Sequence, residues 1–230
     1  KMHQQISKKN FFLFLLLVLF FATSINNKIF SEQKDSFYNL DTIEVIGLNE
    51  KFNSEIKKKL NFLKNTNIFF IDEEILKDQI NKYSFVENYS VMKFYPSKLI
   101  VKLKKTEFLG KTIKNNKYFF IGSNGKFINF DKFDQKIDLP IIYGKFTSEQ
   151  FLELNKIIKK ANLELNSIKE IFFYPSGRTD IKTINDILIK FPIENLYQAL
   201  IIANKILNNN NYNNNIIDLR VPNQLILSNE

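Results

Sequence analysis

Few residues in this chain have side chains that could carry out catalytic chemistry. Its single histidine is His3, and cysteine is absent, so thiolate nucleophiles, cysteine metal sites and disulfides are excluded. A hydrolytic site built on histidine or cysteine needs that residue beside a second reactive group. After His3 the sequence contains no histidine and no cysteine. The composition therefore predicts a protein that is not an enzyme and that carries no cofactor.

Two local patterns superficially resemble ligand sites. Asp131, Asp134 and Asp138 could be imagined as calcium ligands, but their spacing matches no standard calcium loop and lysines lie among them. Gly125-Lys126 fails as a phosphate-binding loop, because Phe120 occupies the position of that motif's first glycine. We interpret the acidic stretch as a solvated loop and predict neither a metal site nor a small-molecule substrate.

The basic character of the chain raises the question of a nucleic-acid partner. The formal net charge is +9, yet the 33 basic residues include only two arginines, Arg178 and Arg220, and the lysines are spread along the chain. Bidentate recognition of phosphates and base edges favours arginine. The charge therefore indicates a solvated surface, and no nucleic-acid partner is predicted.

An apolar segment near the N-terminus predicts export. Lysines precede an unbroken apolar run from Phe11 to Ala22. The positive-inside rule places these lysines in the cytoplasm and everything after Ile25 on the far side of the membrane. One interpretation is a short transmembrane helix over 11–27, helped by snorkelling lysines and local thinning of the bilayer. The other, which stays open, is a signal peptide cleaved at Ala22-Thr23-Ser24.

The segment after a polar linker predicts one strand and two helices. The strand covers 41–48. Apolar side chains recur at helical spacing from Ile56 to Leu63 and predict the first helix, with Asn53 or Ser54 as its cap. Asp72 is placed to cap the second helix, and acidic residues follow it where the helix dipole favours anions.

Two further strands and an apolar connection complete this half of the chain. The runs 85–94 and 98–107 read as strands separated by Tyr95-Pro96-Ser97, and the second run alternates apolar and basic residues as in a sheet with one solvated face. The connection between the two helices is Asn67-Ile68-Phe69-Phe70-Ile71. Because it is apolar, we expect it to lie in the core.

Four stretches of this half follow one another in order: Ile43-Glu44-Val45-Ile46-Gly47, Asn67-Ile68-Phe69, Phe85-Val86-Glu87, and Tyr95-Pro96-Ser97-Lys98-Leu99-Ile100-Val101-Lys102-Leu103. The order strand, helix, helix, strand, strand is that of a POTRA domain, and with it these stretches resemble the FtsQ/DivIB family of bacterial cell-division proteins. Together, directly after a short apolar segment, they form a specific signature.

The second half predicts short strands, turns and two helices. A hairpin turns at Gly122-Ser123-Asn124-Gly125, and a second hairpin turns at Asn185-Asp186. Thr147 and Gln150 form a capping box for one helix, and the spacing over 196–207 predicts another. This half is similar to the second domain of FtsQ/DivIB proteins at three landmarks: Leu139-Pro140 with Gly144, the Arg178 hairpin, and Ile217-Asp218-Leu219-Arg220-Val221-Pro222-Asn223.

A partner-binding surface is predicted at the last strand-like runs, 216–221 and 225–227. A strand at a sheet edge can accept a partner strand through its unpaired backbone groups. The family resemblance implies the same place, since the end of the second domain binds small single-span coiled-coil division proteins of the FtsB and FtsL type. Carried over by motif, the partner-binding residues are Asp218, Leu219, Arg220, Val221, Asn223, Gln224 and Leu225. The alternative is that Arg220 pairs with a structural carboxylate such as Asp218.

The predicted fold class is α+β, with an N-terminal transmembrane helix, a POTRA domain of order β-α-α-β-β, and a mixed α/β second domain dominated by an antiparallel sheet. The predicted boundaries are a cytoplasmic N-terminus over 1–10, a transmembrane helix over 11–27, a linker over 28–40, the POTRA domain over 41–108 and the second domain over 109–228.

The resemblance implies a non-enzymatic bitopic scaffold of the divisome, located in the inner membrane at the septum with its bulk in the periplasm. Other divisome components are its expected partners, and recruitment or regulation of septal peptidoglycan synthesis is its expected role. The alternative is a secreted POTRA-containing chaperone-like module for outer-membrane protein assembly or secretion. Such a module would normally feed a β-barrel, whose strand pattern the sequence does not show.

Overall fold

The structure, a computed structural model, describes residues 8–24, 37–133, 137–209, 215–221 and 224–229. The chain divides into two compact units. The first comprises Lys1–Lys82 and Tyr89–Leu103, and the second comprises Tyr83–Asn88 and Lys104–Glu230.

The N-terminal apolar segment forms helix α1, Lys8–Ser24. The large apolar side chains from Phe11 to Phe20 are 48% to 70% exposed. Among the described residues, no helix combines the length and the apolar character needed to cross a membrane. The remainder of the predicted transmembrane segment, 25–27, and His3 lie outside the described residues.

The first unit contains the predicted strand-helix-helix-strand-strand order. Its elements are β1 Thr42–Ile46, α2 Glu50–Leu60, α3 Glu73–Asn81 and most of the strands β2 Val86–Phe94 and β3 Lys98–Lys105. Residues 86–88 of β2 and 104–105 of β3 belong to the second unit. The strands form a sheet of order β1-β3-β2, in which β1 runs parallel to β3. Helix α2 contacts both β1 and α3, and each of these elements buries aliphatic side chains, so the sheet and the helices share a core.

The caps of the two helices are side chains of Asn and Asp, but one cap differs from the prediction. Helix α2 is capped by Asn49, whose Oδ1 accepts the Phe52 N–H at 3.0 Å, and not by Asn53 or Ser54. Asn53 lies inside the helix and bonds the backbone of Leu48 through both ends of its amide. The helix therefore begins at Glu50, six residues before Ile56, where the apolar spacing used for the prediction starts. Asp72 caps α3 as predicted, accepting the Glu74 N–H at 2.8 Å.

The apolar connection between these helices is only partly in the core, which corrects the prediction. Ile68 and Ile71 are buried, whereas Phe69 is 51% exposed and Phe70 is 84% exposed. The cause is the 3₁₀ turn Ile68–Phe70, which has three residues per turn and so directs residues three apart to the same side.

The second unit is built on a sheet whose strands come from the whole of its length. They are β4 Phe108–Lys114, β5 Lys117–Gly122, β6 Phe127–Asn129, β7 Ile141–Gly144, β8 Ile168–Phe173, β9 Thr179–Thr183, β10 Leu188–Lys190, β11 Ile216–Asp218 and β12 Ile226–Ser228. In the described part of the chain their order is β12-β11-β10-β9-β8-β7-β4-β5-β6. Antiparallel pairs predominate, as predicted, while β4–β7, β7–β8 and β10–β11 are parallel.

Two helices cover this sheet: α4 Ser148–Lys160 and α5 Leu196–Leu207. The Thr147 and Gln150 capping box at the start of α4 is present as predicted. Phe151 and Ile158 of α4 join Leu200 and Ala203 of α5 in one buried cluster with the central strands. Both predicted hairpins form. Strands β4 and β7 were not assigned from the sequence, and the core depends on both, because Leu109 and Ile142 are buried in it.

Candidate partner-binding groove

The predicted partner-binding stretch lies on two strands and the turn between them, and the structure corrects which strand is at the edge. Strand β11 is paired on both sides, parallel to β10 and antiparallel to β12. The chain reverses after Val221, where Gln224 N–H bonds the Val221 carbonyl at 3.2 Å, and returns as β12. The edge strand is therefore β12, and Asp218 belongs to an interior strand.

Arg220 pairs with Asp218, as the alternative interpretation anticipated. Its Nε lies 2.9 Å and 3.0 Å from the two carboxylate oxygens, and Nη2 donates to Oδ2 at 2.6 Å. These hydrogen bonds hold the pKa of the Asp218 carboxyl below its ordinary range. The Asp218 side chain is only 12% exposed, whereas 44% of the Arg220 side chain remains accessible. Arg220 is thus fixed in position and still able to contact another molecule.

A second Arg–Asp pair lies on the neighbouring hairpin. Arg178 Nε lies 3.1 Å from Oδ1 of buried Asp180, its Nη2 donates to Oδ2 at 3.2 Å, and its guanidinium stacks over the Tyr174 ring at 4.2 Å. The Phe191 N–H also donates to Asp180. Burial raises the pKa of the Asp180 carboxyl, and the positive charge of Arg178 opposes that shift. The pKa of the Arg220 guanidinium is raised chiefly by its hydrogen bonds to Asp218, and the charge of Asp180 adds a smaller effect in the same direction.

The two arginines line one groove of about 850 Å³. One wall is the segment leading into α5 together with the exposed face of that helix, and the other is the end of β11 with the turn that follows. The lining residues are Arg178, Phe191, Pro192, Ile193, Glu194, Asn195, Gln198, Ala199, Ile202, Leu219, Arg220, Val221, Gln224 and Leu225.

Exposed aliphatic side chains occupy both walls of this groove. They are Ile193 at 63%, Ile202 at 46%, Val221 at 42% and Leu225 at 41%. Clustered exposed aliphatic residues with a polar rim are typical of a protein-binding site. With two guanidinium groups beside them, the arrangement suits an amphipathic segment that presents apolar and acidic side chains.

The structure brings most of the predicted partner-binding residues together. Arg220, Val221, Gln224 and Leu225 line the groove and are exposed, and Leu219 also lines it although it is buried. Asp218 does not line the groove and instead holds Arg220. Asn223 lies outside the described residues.

Sequence reasoning did not assign Arg178 or α5 to this surface. Arg178 is forty-two residues away from Arg220 in the chain, so nothing local links the two. The one signal that could have pointed to it is that these two are the only arginines in a chain whose other basic residues are lysines.

The described residues contain no group of three histidine, cysteine, aspartate or glutamate side chains that could hold a metal ion. Asp134 of the predicted acidic loop lies outside them. Asp180 and Asp218 are each occupied by an arginine. The described lining of the groove offers a binding partner apolar surface and two guanidinium groups.

Comparisons with known proteins agree with the architecture. Residues 38–105 match the model of the FtsQ-type POTRA domain, and residues 112–220 match the model of the C-terminal domain of cell division protein FtsQ/DivIB. No curated protein matches the chain.

Among solved structures, the chain is similar to the major extracytoplasmic domain of the trans isomer of the cell division protein DivIB from Geobacillus stearothermophilus. The TM-score is 0.33 and the identity 14%, covering 42% of this chain and 87% of that one. The two family models match in the expected order and together span most of the chain. The chain therefore belongs to the FtsQ/DivIB family of cell-division proteins.

Proposed function

We propose that this protein is a non-enzymatic scaffold of the cell-division machinery that binds partner proteins at the groove between α5 and the β11–β12 turn. The observation that carries the proposal is the groove itself, in which exposed aliphatic side chains lie beside Arg178 and Arg220. Arginine is enriched among the residues that dominate binding energy at protein interfaces, and burial of apolar surface drives protein association.

The proposed occupants are small single-span coiled-coil division proteins of the FtsB and FtsL type. An amphipathic helix could place its apolar face against Ile193 and Ile202 and its acidic side chains against the two arginines. Because Asp218 and Asp180 already hold the guanidinium groups in place, an incoming carboxylate would meet donors that lose little conformational freedom on binding.

The edge strand offers a second contact next to the groove. Strand β12 pairs with β11 on one side, and no described strand lies on its other side. Its outer backbone groups are therefore available for β-augmentation by an extended segment of the same partner. In this proposal the groove selects the partner by side chain, and β12 adds backbone hydrogen bonds.

The scaffold would act from the inner membrane at the septum, with its bulk in the periplasm. Helix α1 would provide the attachment, because its exposed apolar side chains are unfavourable in water. At 1.5 Å per residue the apolar run of α1, from Phe11 to Ala22, is about 18 Å long, shorter than the hydrocarbon core of roughly 30 Å. In this proposal local thinning of the bilayer and snorkelling of Lys8 and Lys9, at the start of the helix, make up the difference.

The proposed role is to link membrane and periplasmic division proteins and so to recruit or regulate septal peptidoglycan synthesis. Depletion of the protein should make cells filament, whereas a secreted chaperone for outer-membrane proteins should leave septation intact and disturb the outer membrane. Normal division in depleted cells would contradict the proposal.

The groove is tested by co-purification of the coiled-coil partner with the membrane-extracted protein. We expect Arg220→Glu and, separately, Ile202→Glu to abolish co-purification. The first variant reverses a charge, and the second places a charge on the exposed apolar face of α5. The matched control is Lys156→Glu on the exposed side of α4, which makes the same charge reversal as Arg220→Glu away from the groove.

Circular dichroism of the three variants establishes that each remains folded. Ile202→Glu leaves both Arg–Asp pairs intact, so it tests the groove even if Arg220→Glu is destabilised by the proximity of Asp218. Undiminished binding by both folded variants would remove the groove from the partner site.

A further inference from the structure

One end of the first unit displays a patch of aromatic side chains that the division-partner groove does not use. We call this patch the aromatic end and define it as Phe37, Tyr38, Phe69, Phe70 and Tyr95. Phe70 is 84% exposed, and Phe37 and Tyr95 are 62% and 56% exposed. Aromatic groups with so little coverage are unusual on a protein surface unless something packs on them.

Four of the five rings form a chain of contacts. Phe37 contacts Tyr38 edge to face with the ring centroids 5.4 Å apart, and Tyr38 contacts Phe69 in the same way at 5.1 Å. Phe69 in turn stacks on Tyr95 at 4.8 Å. Phe70 follows Phe69 directly in the 3₁₀ turn. The patch is therefore assembled from three separate parts of the chain.

Backbone hydrogen bonds hold these three parts together. The Ile68 N–H bonds the Tyr38 carbonyl at 2.9 Å, which ties the helix connection to the start of β1. The Asp41 N–H bonds the Ser97 carbonyl at 2.9 Å, which ties the start of β1 to the β2–β3 turn. The aromatic end is thus a preformed surface.

The chemistry of the patch fits the boundary between lipid and water. Tyrosine, which combines a large apolar body with a polar tip, is enriched at headgroup level in membrane proteins, and phenylalanine is among the residues that interfacial helices insert there. Lys64 and Asp41 are both exposed near this end, and the exposed acidic residues Asp72, Glu73 and Glu74 follow Phe70 closely in the chain, so no cluster of basic side chains accompanies the rings. Insertion of aromatic rings, and not attraction to anionic lipid, is the interaction that this surface can supply.

The position of the patch in the chain favours a bilayer over another protein. Only twelve residues, 25–36, separate Phe37 from the last residue of α1, and a chain of that length reaches at most about 43 Å. If α1 lies in the membrane, the start of β1 is the part of the folded unit closest to it along the chain. The aromatic end surrounds that point.

We infer that the aromatic end rests in the headgroup region of the bilayer that holds α1, so that the first unit is docked on the membrane surface. The inference rests on the proposed membrane attachment of α1. Docking would set the orientation of the first unit at the membrane, which a linker alone would leave free.

Tryptophan fluorescence tests this directly, because the chain contains no tryptophan. The full chain is reconstituted into phosphatidylcholine vesicles as three single variants: Phe70→Trp in the aromatic end, Phe14→Trp in α1, and Lys51→Trp at the start of α2. Lys51 is the matched control, since it is exposed on the opposite end of the unit, about 16 Å away along the five-residue strand β1. Each variant is measured with and without lipids brominated near the headgroup end of the acyl chain.

We expect Phe70→Trp to have blue-shifted emission that brominated lipid quenches, and Phe14→Trp to be quenched as well, while Lys51→Trp emits as in water and is not quenched. Quenching at Phe14 without quenching at Phe70 would overturn the docking and leave the membrane attachment standing, which would assign the aromatic end to a protein partner. Absence of quenching at both positions would overturn the attachment itself. Equal quenching at Lys51 and Phe70 would show that the unit has no fixed orientation on the bilayer.

Discussion

The two aspartates that hold the groove arginines should respond to acid in opposite ways. Pairing with Arg220 lowers the folded-state pKa of Asp218, so this pair contributes stability that is present above the unfolded value of about 3.9 and is lost as the pH falls through the lower folded value. Burial raises the pKa of Asp180, so its ionised form costs stability at neutral pH, and that cost is relieved as the pH falls through the raised value.

We therefore expect the carboxyl group of Asp180 to take up its proton at a higher pH than that of Asp218. Carbon-13 NMR of the side-chain carboxyl groups through an acid titration measures both midpoints. Asp180→Asn and Asp218→Asn provide the assignments, because each removes one titrating signal. The reverse order of protonation would contradict the burial and pairing described for the two sites.

Gly144, at the end of β7, should tolerate no side chain. Its φ is +97°, and an added Cβ would lie 1.9 Å from the carbonyl oxygen of Phe173 on the neighbouring strand. We expect Gly144→Ala to lose about 1 kcal/mol of unfolding free energy through backbone strain and roughly 1–3 kcal/mol more through the clash.

Gly177→Ala is the matched control for this prediction. Gly177 also has a positive φ of +85°, but its added Cβ would meet nothing within 4 Å. It should therefore show only the strain component. Urea denaturation of both variants separates the two contributions, and equal losses would mean that β7 and β8 can move apart at little cost.

At the scale of elements, the capping box of α4 should contribute measurably to the stability of the second unit. The Gln150 N–H donates to Thr147 Oγ1 at 3.3 Å, and the Thr147 N–H donates to Gln150 Oε1 at 2.9 Å. Thr147→Ala should lower the unfolding free energy by about 1 kcal/mol, because it removes the hydroxyl oxygen that accepts the Gln150 N–H. Thermal denaturation measures the loss.

Thr147→Ser keeps the hydroxyl group and should retain most of that stability. The cap matters beyond its own hydrogen bonds, since it sets the start of the helix that carries Phe151 and Ile158 into the core. An alanine variant as stable as the native protein would show that packing alone determines where α4 begins.

At the scale of the whole molecule, the N-terminal segment should remain part of the mature protein. Attachment through α1 requires residues 8–24 to be retained, whereas a cleaved signal peptide would remove them. Mass spectrometry of the membrane-extracted protein should therefore detect peptides that cover Lys8–Ser24. A mature N-terminus after Ser24 would contradict attachment by this helix and with it the docking of the aromatic end.

The sequence by itself determined the features that depend on near neighbours. The element order of the POTRA unit, the Asp72 cap, the capping box at Thr147 and the turns of both hairpins were predicted correctly because each depends on residues within a few positions of one another. Where two local signals competed, the prediction was wrong, as at the start of α2, where Asn49 and not Asn53 is the cap.

Only the tertiary structure decided what each surface presents. Strand β11 is interior because the chain returns as β12, Arg178 joins Arg220 because β9, β10 and β11 are neighbours in the sheet, and Phe69 and Phe70 face outward because the connection folds as a 3₁₀ turn. An apolar composition shows that burying a segment is energetically favourable. It does not show which of the side chains in that segment are buried. That depends on strand order and register, which bring together residues far apart in the chain and leave no pattern among neighbours.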